Sequence, residues 1–198
     1  MTEFERVLVH SFNTYFKKKG IRAISYRFKQ YRFTSQFLDV LVDSLNPDFY
    51  IGIECKSISV DKGAKALYFT QHFTVDSKGV HQIERISDYL EKSGRKGYLA
   101  VELRLGAGHE REAYIIPWKR LEEIYHAKNP KLSLAEIRNF PEIKRNGKGY
   151  DLEPEEWEKV NLQEKYSKGE SSENLKESSE NLKESSENLK EISGKNNV

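Results

Sequence analysis

Cysteine is nearly absent from this chain of 198 residues: Cys55 stands alone, which excludes an intramolecular disulfide framework and any zinc site built on several thiolates. Long apolar runs are missing too. No stretch approaches the ~20 consecutive apolar residues that a membrane-spanning helix needs, so no membrane partner is expected. The opening residues Met1–Arg6 begin acidic and lack the basic-then-apolar order of a secretory signal, which gives the expectation of a cytoplasmic protein. The five histidines, His10, His72, His81, His109 and His126, share no ligand spacing and read as surface or satisfied polar groups. Gly106-Ala107-Gly108 falls between two strand patterns rather than before a helix, which reads as a hairpin loop and not a dinucleotide cradle.

The small net charge of +2 conceals an uneven distribution. Residues 1–150 carry 26 Lys and Arg against 18 Asp and Glu, residues 151–167 carry 2 against 6, and residues 168–198 carry 5 against 7. The body is therefore basic, as a chain that meets a polyanion would be. From Glu170 to Lys190 the unit Glu-Ser-Ser-Glu-Asn-Leu-Lys occurs three times. One leucine per heptad cannot make a coiled-coil seam, and the serines are mediocre helix formers, so a disordered or transiently helical tail is expected, its partner unknown.

Phe4, Val7, Leu8, Phe12, Tyr15 and Phe16 recur at helical spacing through residues 3–19, and Lys17-Lys18-Lys19-Gly20 is a helix end. Residues 21–29 read as a strand with Ile24, Tyr26 and Phe28 on one face and Ser25, Arg27 and Lys29 on the other. Phe37–Asp43 and Phe49–Lys56 are strands joined by the turn Asn46-Pro47-Asp48. A long connection, 57–78, leads to a helix starting near Gly79, with Val80, Ile83, Ile86 and Leu90 inward and Gly94 at its end. Tyr98–Leu103 and Ala113–Ile116 read as further strands, Trp118–His126 as a helix, and Ser133 with Glu136 as a capping box. The order is α-β-β-β-α-β-β-α with small additions.

Chemistry concentrates in the hairpin around Asn46-Pro47-Asp48. Alternation puts Leu38, Val40, Val42, Phe49, Ile51, Ile53 and Cys55 on an apolar face, and Asp39, Leu41, Asp43, Tyr50, Gly52, Glu54 and Lys56 on the other. With the turn centred between residues 46 and 47, Asp39 faces Glu54. With Pro47 at the second position of a type I turn, Asp39 faces Lys56 and Glu54 is diagonal. Either register leaves the two carboxylates ~4.5–8 Å apart at Cβ, close enough to share one cation. Paired carboxylates repel, and oxygen ligands favour magnesium or manganese. Lys56 on the same side can orient a water or stabilise a phosphate that gains charge. Gly52 leaves room for a backbone to approach. A second Glu-x-Lys, Glu142-Ile143-Lys144, follows Pro141 without an acidic strand before it and reads as a solvated loop. Arg27, Lys29 and Arg32 alternate with Tyr26, Phe28, Tyr31 and Phe33, a pattern suited to a phosphate backbone.

Glu5-Arg6-Val7-Leu8, Leu38-Asp39-Val40-Leu41, Ile51-Gly52-Ile53-Glu54-Cys55-Lys56 and the later helix with Gln82 resemble the PD-(D/E)xK nuclease superfamily, and within it the archaeal Holliday junction resolvases. The resemblance covers about residues 3–120. It implies an α/β, restriction-endonuclease-like core, a central mixed sheet flanked by helices in the order αβββαβ. It also implies a magnesium-dependent homodimer that nicks four-way DNA junctions in recombination and repair. Carried over residue by residue, Asp39, Glu54 and the Cys55 carbonyl would hold the metal, Lys56 would be the catalytic lysine, and Glu5 would act at the metal or its water, with Glu3 as the alternative. Thr34 or Ser35 would hold DNA, as would Arg27, Lys29, Arg32 and Gln82. Leu38 stands where the superfamily has proline, and both the 57–78 connection and residues 127–198 exceed a compact resolvase. The expected division is a nuclease core over 1–126, an extension packed on or near it over 127–167, and the repeat tail over 168–198. Two other functions remain open: a related nuclease acting on ends, single strands or particular sequences, and a catalytically silent DNA-binding subunit.

Overall fold

Helix α1, Glu3–Lys19, buries Phe4, Val7, Leu8, Phe12 and Phe16 along one side, and its acidic first turn and basic last turn complement the helix dipole. The computed structural model describes residues 3–27, 38–128 and 130–158; Phe28, Lys29, Arg32, Thr34, Ser35 and the tail from residue 159 onward lie outside them. After α1 come β1 (Ala23–Arg27), β2 (Val40–Ser44), β3 (Ile51–Ser59), β4 (Ala66–Tyr68) and the single turn α2 (Phe69–His72). There follow α3 (Gln82–Ser93), β5 (Lys96–Arg104), β6 (Glu112–Pro117), α4 (Trp118–Tyr125), β7 (Lys131–Ser133), α5 (Leu134–Ile137), β8 (Arg145–Asn146) and β9 (Gly149–Tyr150).

The architecture is α/β. A mixed sheet runs in the order β1-β2-β3-β5-β6 and is antiparallel except between β3 and β5. That parallel pair needs a crossover, and α3 supplies it. His81 caps α3 by accepting from Ile83 N–H, and Gly94 ends it at φ 69°, a left-handed conformation that glycine adopts without strain. The helix thus starts at Gln82, three residues after the Gly79 expected from sequence, because the histidine ring takes the cap.

Helices cover both faces of the sheet. On one, α1 packs on Val40, Val42, Ile51, Ile53, Ala100 and Ile115, joined by Ile143, Tyr150, Leu152 and Trp157 from the C-terminal segment. On the other, Ile83, Ile86 and Leu90 of α3 and Trp118 and Leu121 of α4 cover Leu41, Ile58, Leu99, Val101 and Ile116. Val40 lies opposite Ile53 and Leu41 opposite Gly52, which is the first of the two registers; Asp39 stands one residue before the first pair.

Several expectations are corrected by this packing. α3 covers the hairpin side that carries Gly52 and Glu54, where Glu54 is 3% exposed, while Asp39 and Lys56 keep intermediate exposure. Leu38 joins that side rather than the Val40 side, because it precedes the first paired residue of β2 and escapes the strict alternation. The space above Gly52 is filled by side chains and not by an approaching backbone: a Cβ there would stand 2.4 Å from Leu38 Cδ1. The connection after Lys56 is structured, with β3 continuing to Ser59 and β4 pairing with β7. Glu142-Ile143-Lys144 is not a solvated loop either. Ile143 N–H donates to Ala113 O at 2.8 Å and its side chain is buried, so this segment lines the outer edge of β6.

Candidate functional site

Three adjacent residues of β3 carry the site. Glu54 is 3% exposed, and its Oε1 accepts from both Lys56 Nζ at 2.7 Å and Gln82 Nε2 at 2.8 Å. Gln82 can reach it because α3 begins there, its first residue tied by a backbone bond to Thr74 O. Both bonds end on the same oxygen. Lys56 Nζ also stands 4.6 Å from the centroid of the Phe73 ring, a cation–π contact delivered by the segment between α2 and α3.

Asp39 enters from the other side of the hairpin. Its N–H donates to Ile53 O at 3.1 Å, and its Oδ2 accepts from Cys55 N–H at 2.8 Å. In an antiparallel pair the N–H and C=O of one residue point the same way, so the Cys55 carbonyl is aimed toward the Asp39 side as well. Glu5 reaches the group from α1; the residue is 6% exposed, and its Oε2 lies 2.5 Å from Arg27 NH2. It is the polar row of β1 that faces α1: next to the Arg27–Glu5 pair, the Asn13 side chain bonds both the N–H and the C=O of Ser25 at 2.9 and 2.8 Å. That contact occupies the backbone of an edge strand that would otherwise offer unpaired groups.

The electrostatics follow from this crowding. Burial, reinforced by the charge of Asp39, raises the Glu54 carboxyl from 4.5 to about 7, against the opposing pull of Lys56 and Gln82. Asp39 is raised as well, first by burial and then by Glu5, while the Cys55 N–H and the Lys56 and Arg27 charges act the other way. Burial pushes the Cys55 thiol up, so its side chain is inert and only its carbonyl suits a hard cation. Among the described residues no three His, Cys, Asp or Glu side chains converge as a ready-made metal cage. The donors that a cation would meet here are two carboxylates and a main-chain carbonyl, all oxygen, and a divalent cation would relieve the repulsion of the two raised carboxylates.

No protein-family model matches the chain, and no curated protein matches it in sequence. One solved structure similar to it is that of Hjc from Archaeoglobus fulgidus, a Holliday junction resolvase from an archaeal hyperthermophile. The two are 15% identical over 65% of this chain and 88% of that chain, with a TM-score of 0.41. The chemistry of this chain is read from its own residues.

Of the residues singled out in the sequence, Asp39, Glu54, Cys55 and Lys56 come together with Gln82, and Glu5 adjoins them with Arg27. Gln82 and Arg27, expected to touch DNA, spend the bonds just described on Glu54 and Glu5. Lys29, Arg32, Thr34 and Ser35 fall outside the described residues. Phe73 gave no signal, since it follows the single turn α2 as its extended C-cap, where no periodic pattern marks it. Arg27 as the partner of Glu5 was equally hidden, because it depends on which helix lies over β1.

Proposed function

We propose that this chain is a divalent-metal-dependent DNA endonuclease that cuts phosphodiester bonds, with four-way junctions as its substrate. The observation that carries the reading is Glu54: a carboxylate buried within reach of the Asp39 charge and bonded to a lysine two residues away on the same strand. A structural surface pair has no need of that depth, since burying a carboxylate beside another is costly unless something binds it.

Asp39, Glu54 and the Cys55 carbonyl would hold magnesium or manganese, which when bound polarises a phosphoryl oxygen and makes its water more acidic. Lys56, anchored between Glu54 Oε1 and the Phe73 ring, orients the attacking water and stabilises the negative charge that grows on the phosphate. Gln82 fixes Glu54 in the rotamer that faces Lys56. The basic body supplies contacts to phosphates, and the motif resemblance favours branched DNA. A junction resolver must cut two strands related by near two-fold symmetry, so two chains, each with one site, form the expected homodimer.

The deciding experiment offers purified protein and magnesium to a four-way junction, linear duplex, flap and single-stranded DNA. Paired symmetric nicks in the junction are expected, with linear duplex cut far more slowly. Equal cutting of linear duplex by a monomer in sedimentation equilibrium overturns the junction reading, and no cutting of any substrate overturns the nuclease reading.

A further inference from the structure

Glu102 lies inside the apolar run of β5 and is 1% exposed, yet the chemistry at Glu54 makes no use of it. Its Oε2 accepts from Arg104 Nε at 2.9 Å and Ser57 Oγ at 3.2 Å, and its Oε1 from Arg111 NH1 at 3.2 Å. The same Arg111 NH1 also bonds Glu3 Oε2 of α1 at 3.0 Å. A buried carboxylate thus fixes two guanidiniums side by side while engaging only one nitrogen of each. Both arginines line a cavity of about 340 Å³ with Ser59, Asp61, Lys62 and Gly106. Gly106 has φ 98°, and a Cβ there would come within 3.2 Å of Asp61 Cβ, so glycine lets the two walls of the cavity close on each other.

We propose that this cavity is a phosphate-binding site for the nucleic-acid backbone, in which Arg104 and Arg111 grip one phosphodiester and Lys62 adds a third positive charge. The proposal rests on the nucleic-acid reading above and extends it to a second point of contact. Guanidiniums held by a carboxylate behind them present their remaining N–H groups in a fixed fork, the geometry that matches phosphate oxygens. Glu102 is the positioning residue. Its charge is spent on the arginines it holds, which leaves Asp61 as the acidic group on the wall of the cavity and suits a singly charged diester better than a dianion. Ser59 is three residues beyond Lys56 on β3, ~10 Å along the strand, and alternation turns it to the opposite face of the sheet, so the cavity is a point of contact separate from Glu54 and Lys56.

The test measures DNA affinity against salt concentration with calcium in place of magnesium, for wild type, Arg104→Gln, Lys62→Gln, Arg104→Lys and the control Lys92→Gln. Lys92 is exposed on α3 and pairs with Asp88. Arg104→Gln and Lys62→Gln should each weaken binding about three- to ten-fold at 100 mM salt and lower the slope of log affinity against log salt by about 0.7–0.9. Arg104→Lys should restore the slope without restoring full affinity, and Lys92→Gln should change neither. Unaltered affinity and slope in Arg104→Gln and Lys62→Gln, with unchanged melting temperatures, overturn the proposal. Titration of inorganic phosphate, followed through the arginine Nε–H signals, separates the sources. Saturation by the free ion with no effect of the variants on DNA makes this a free-anion site and overturns the assignment. A wild type that binds DNA with the expected slopes but cuts nothing in magnesium keeps this site and removes the nuclease reading. A wild type that cuts while the slopes stay fixed does the reverse, and one that binds no DNA overturns both.

Discussion

Lys56 and Glu54 meet through a single 2.7 Å bond that Gln82 shares on the same oxygen, so ammonium, carboxylate and amide form one unit at the start of α3. The parts of this unit have separable jobs. Asp39→Asn and Glu54→Gln should each lower cleavage about a hundredfold or more and weaken magnesium binding, while Lys56→Ala should lower cleavage as much and leave magnesium affinity unchanged. DNA affinity in calcium should stay near wild type for all three. Single-turnover cleavage and calorimetric metal titration check this, and full cleavage by any one variant refutes the site.

The raised Glu54 carboxyl ties stability to pH. Its value is 4.5 in the ordinary case and about 7 in the folded protein, so between those limits the folded state binds more protons than the unfolded one, and stability falls as pH rises. Below pH 4.5 this contribution is neutral; above pH 7 the metal-free protein carries a penalty on the order of 3 kcal/mol, and Asp39, raised in the same sense, adds to it. The melting temperature in EDTA should therefore drop between pH 5 and pH 7.5. Glu54→Gln should flatten that drop and melt higher than wild type at pH 7.5, and magnesium should raise the wild type more than the variant. A wild-type profile flat over this range would show that the carboxylate is not held near neutrality.

The hairpin was legible because two constraints agree there: strict alternation of Val40, Val42, Ile51 and Ile53, and a turn built on Asn46 and Pro47. Together they leave two registers, and the structure takes the one that pairs Val40 with Ile53, with Asp39 one residue before the ladder and bonded to Cys55 N–H. Alternation gives the face of Glu54 and not its depth: Leu90 of α3 fits over Gly52 and Gly97 and closes that face, and which helix lands on a sheet is a tertiary fact that no local period encodes. The segment after Lys56 was illegible for a different reason. β4 has three residues and α2 four, too few to display a period. The ionic partners Arg27–Glu5 and Arg111–Glu3 join separate elements of the chain, and nothing local pairs them.

The Arg27–Glu5 contact is nearly buried on the acidic side, at 8% side-chain exposure for Glu5 against 23% for Arg27. Removing the cation leaves a buried carboxylate with Asp39 close by, whereas removing both charges leaves neither problem. Arg27→Leu should cost about 3 kcal/mol in urea denaturation, and adding Glu5→Gln should recover most of it. A cycle with no coupling between the two substitutions would mean that the pair contributes nothing to folding.

Gly52 and Gly97 face each other across β3 and β5, beneath Leu90, and an added methyl at either would collide, but with partners of different freedom. At Gly52 the nearest atoms are Leu38 Cδ1 at 2.4 Å and Leu90 Cδ2 at 3.2 Å, both tips of side chains that can rotate away. At Gly97 they are Leu90 Cδ1 at 2.3 Å and Trp118 Cβ at 2.8 Å. The tryptophan Cβ is rooted in α4, and its ring is pinned by the bond from Nε1 to Ser87 Oγ at 2.9 Å. Overpacking costs about 1–3 kcal/mol, more than the ~0.4–1 kcal/mol gained by stiffening the unfolded chain with alanine. Gly97→Ala should therefore destabilise toward the upper end of that range and Gly52→Ala toward the lower, in denaturant titrations at one pH. Leu90→Val should recover part of the loss in the Gly97→Ala background and none of the part due to Trp118. Wild-type stability in Gly97→Ala would mean that α4 does not sit on β5 at this glycine.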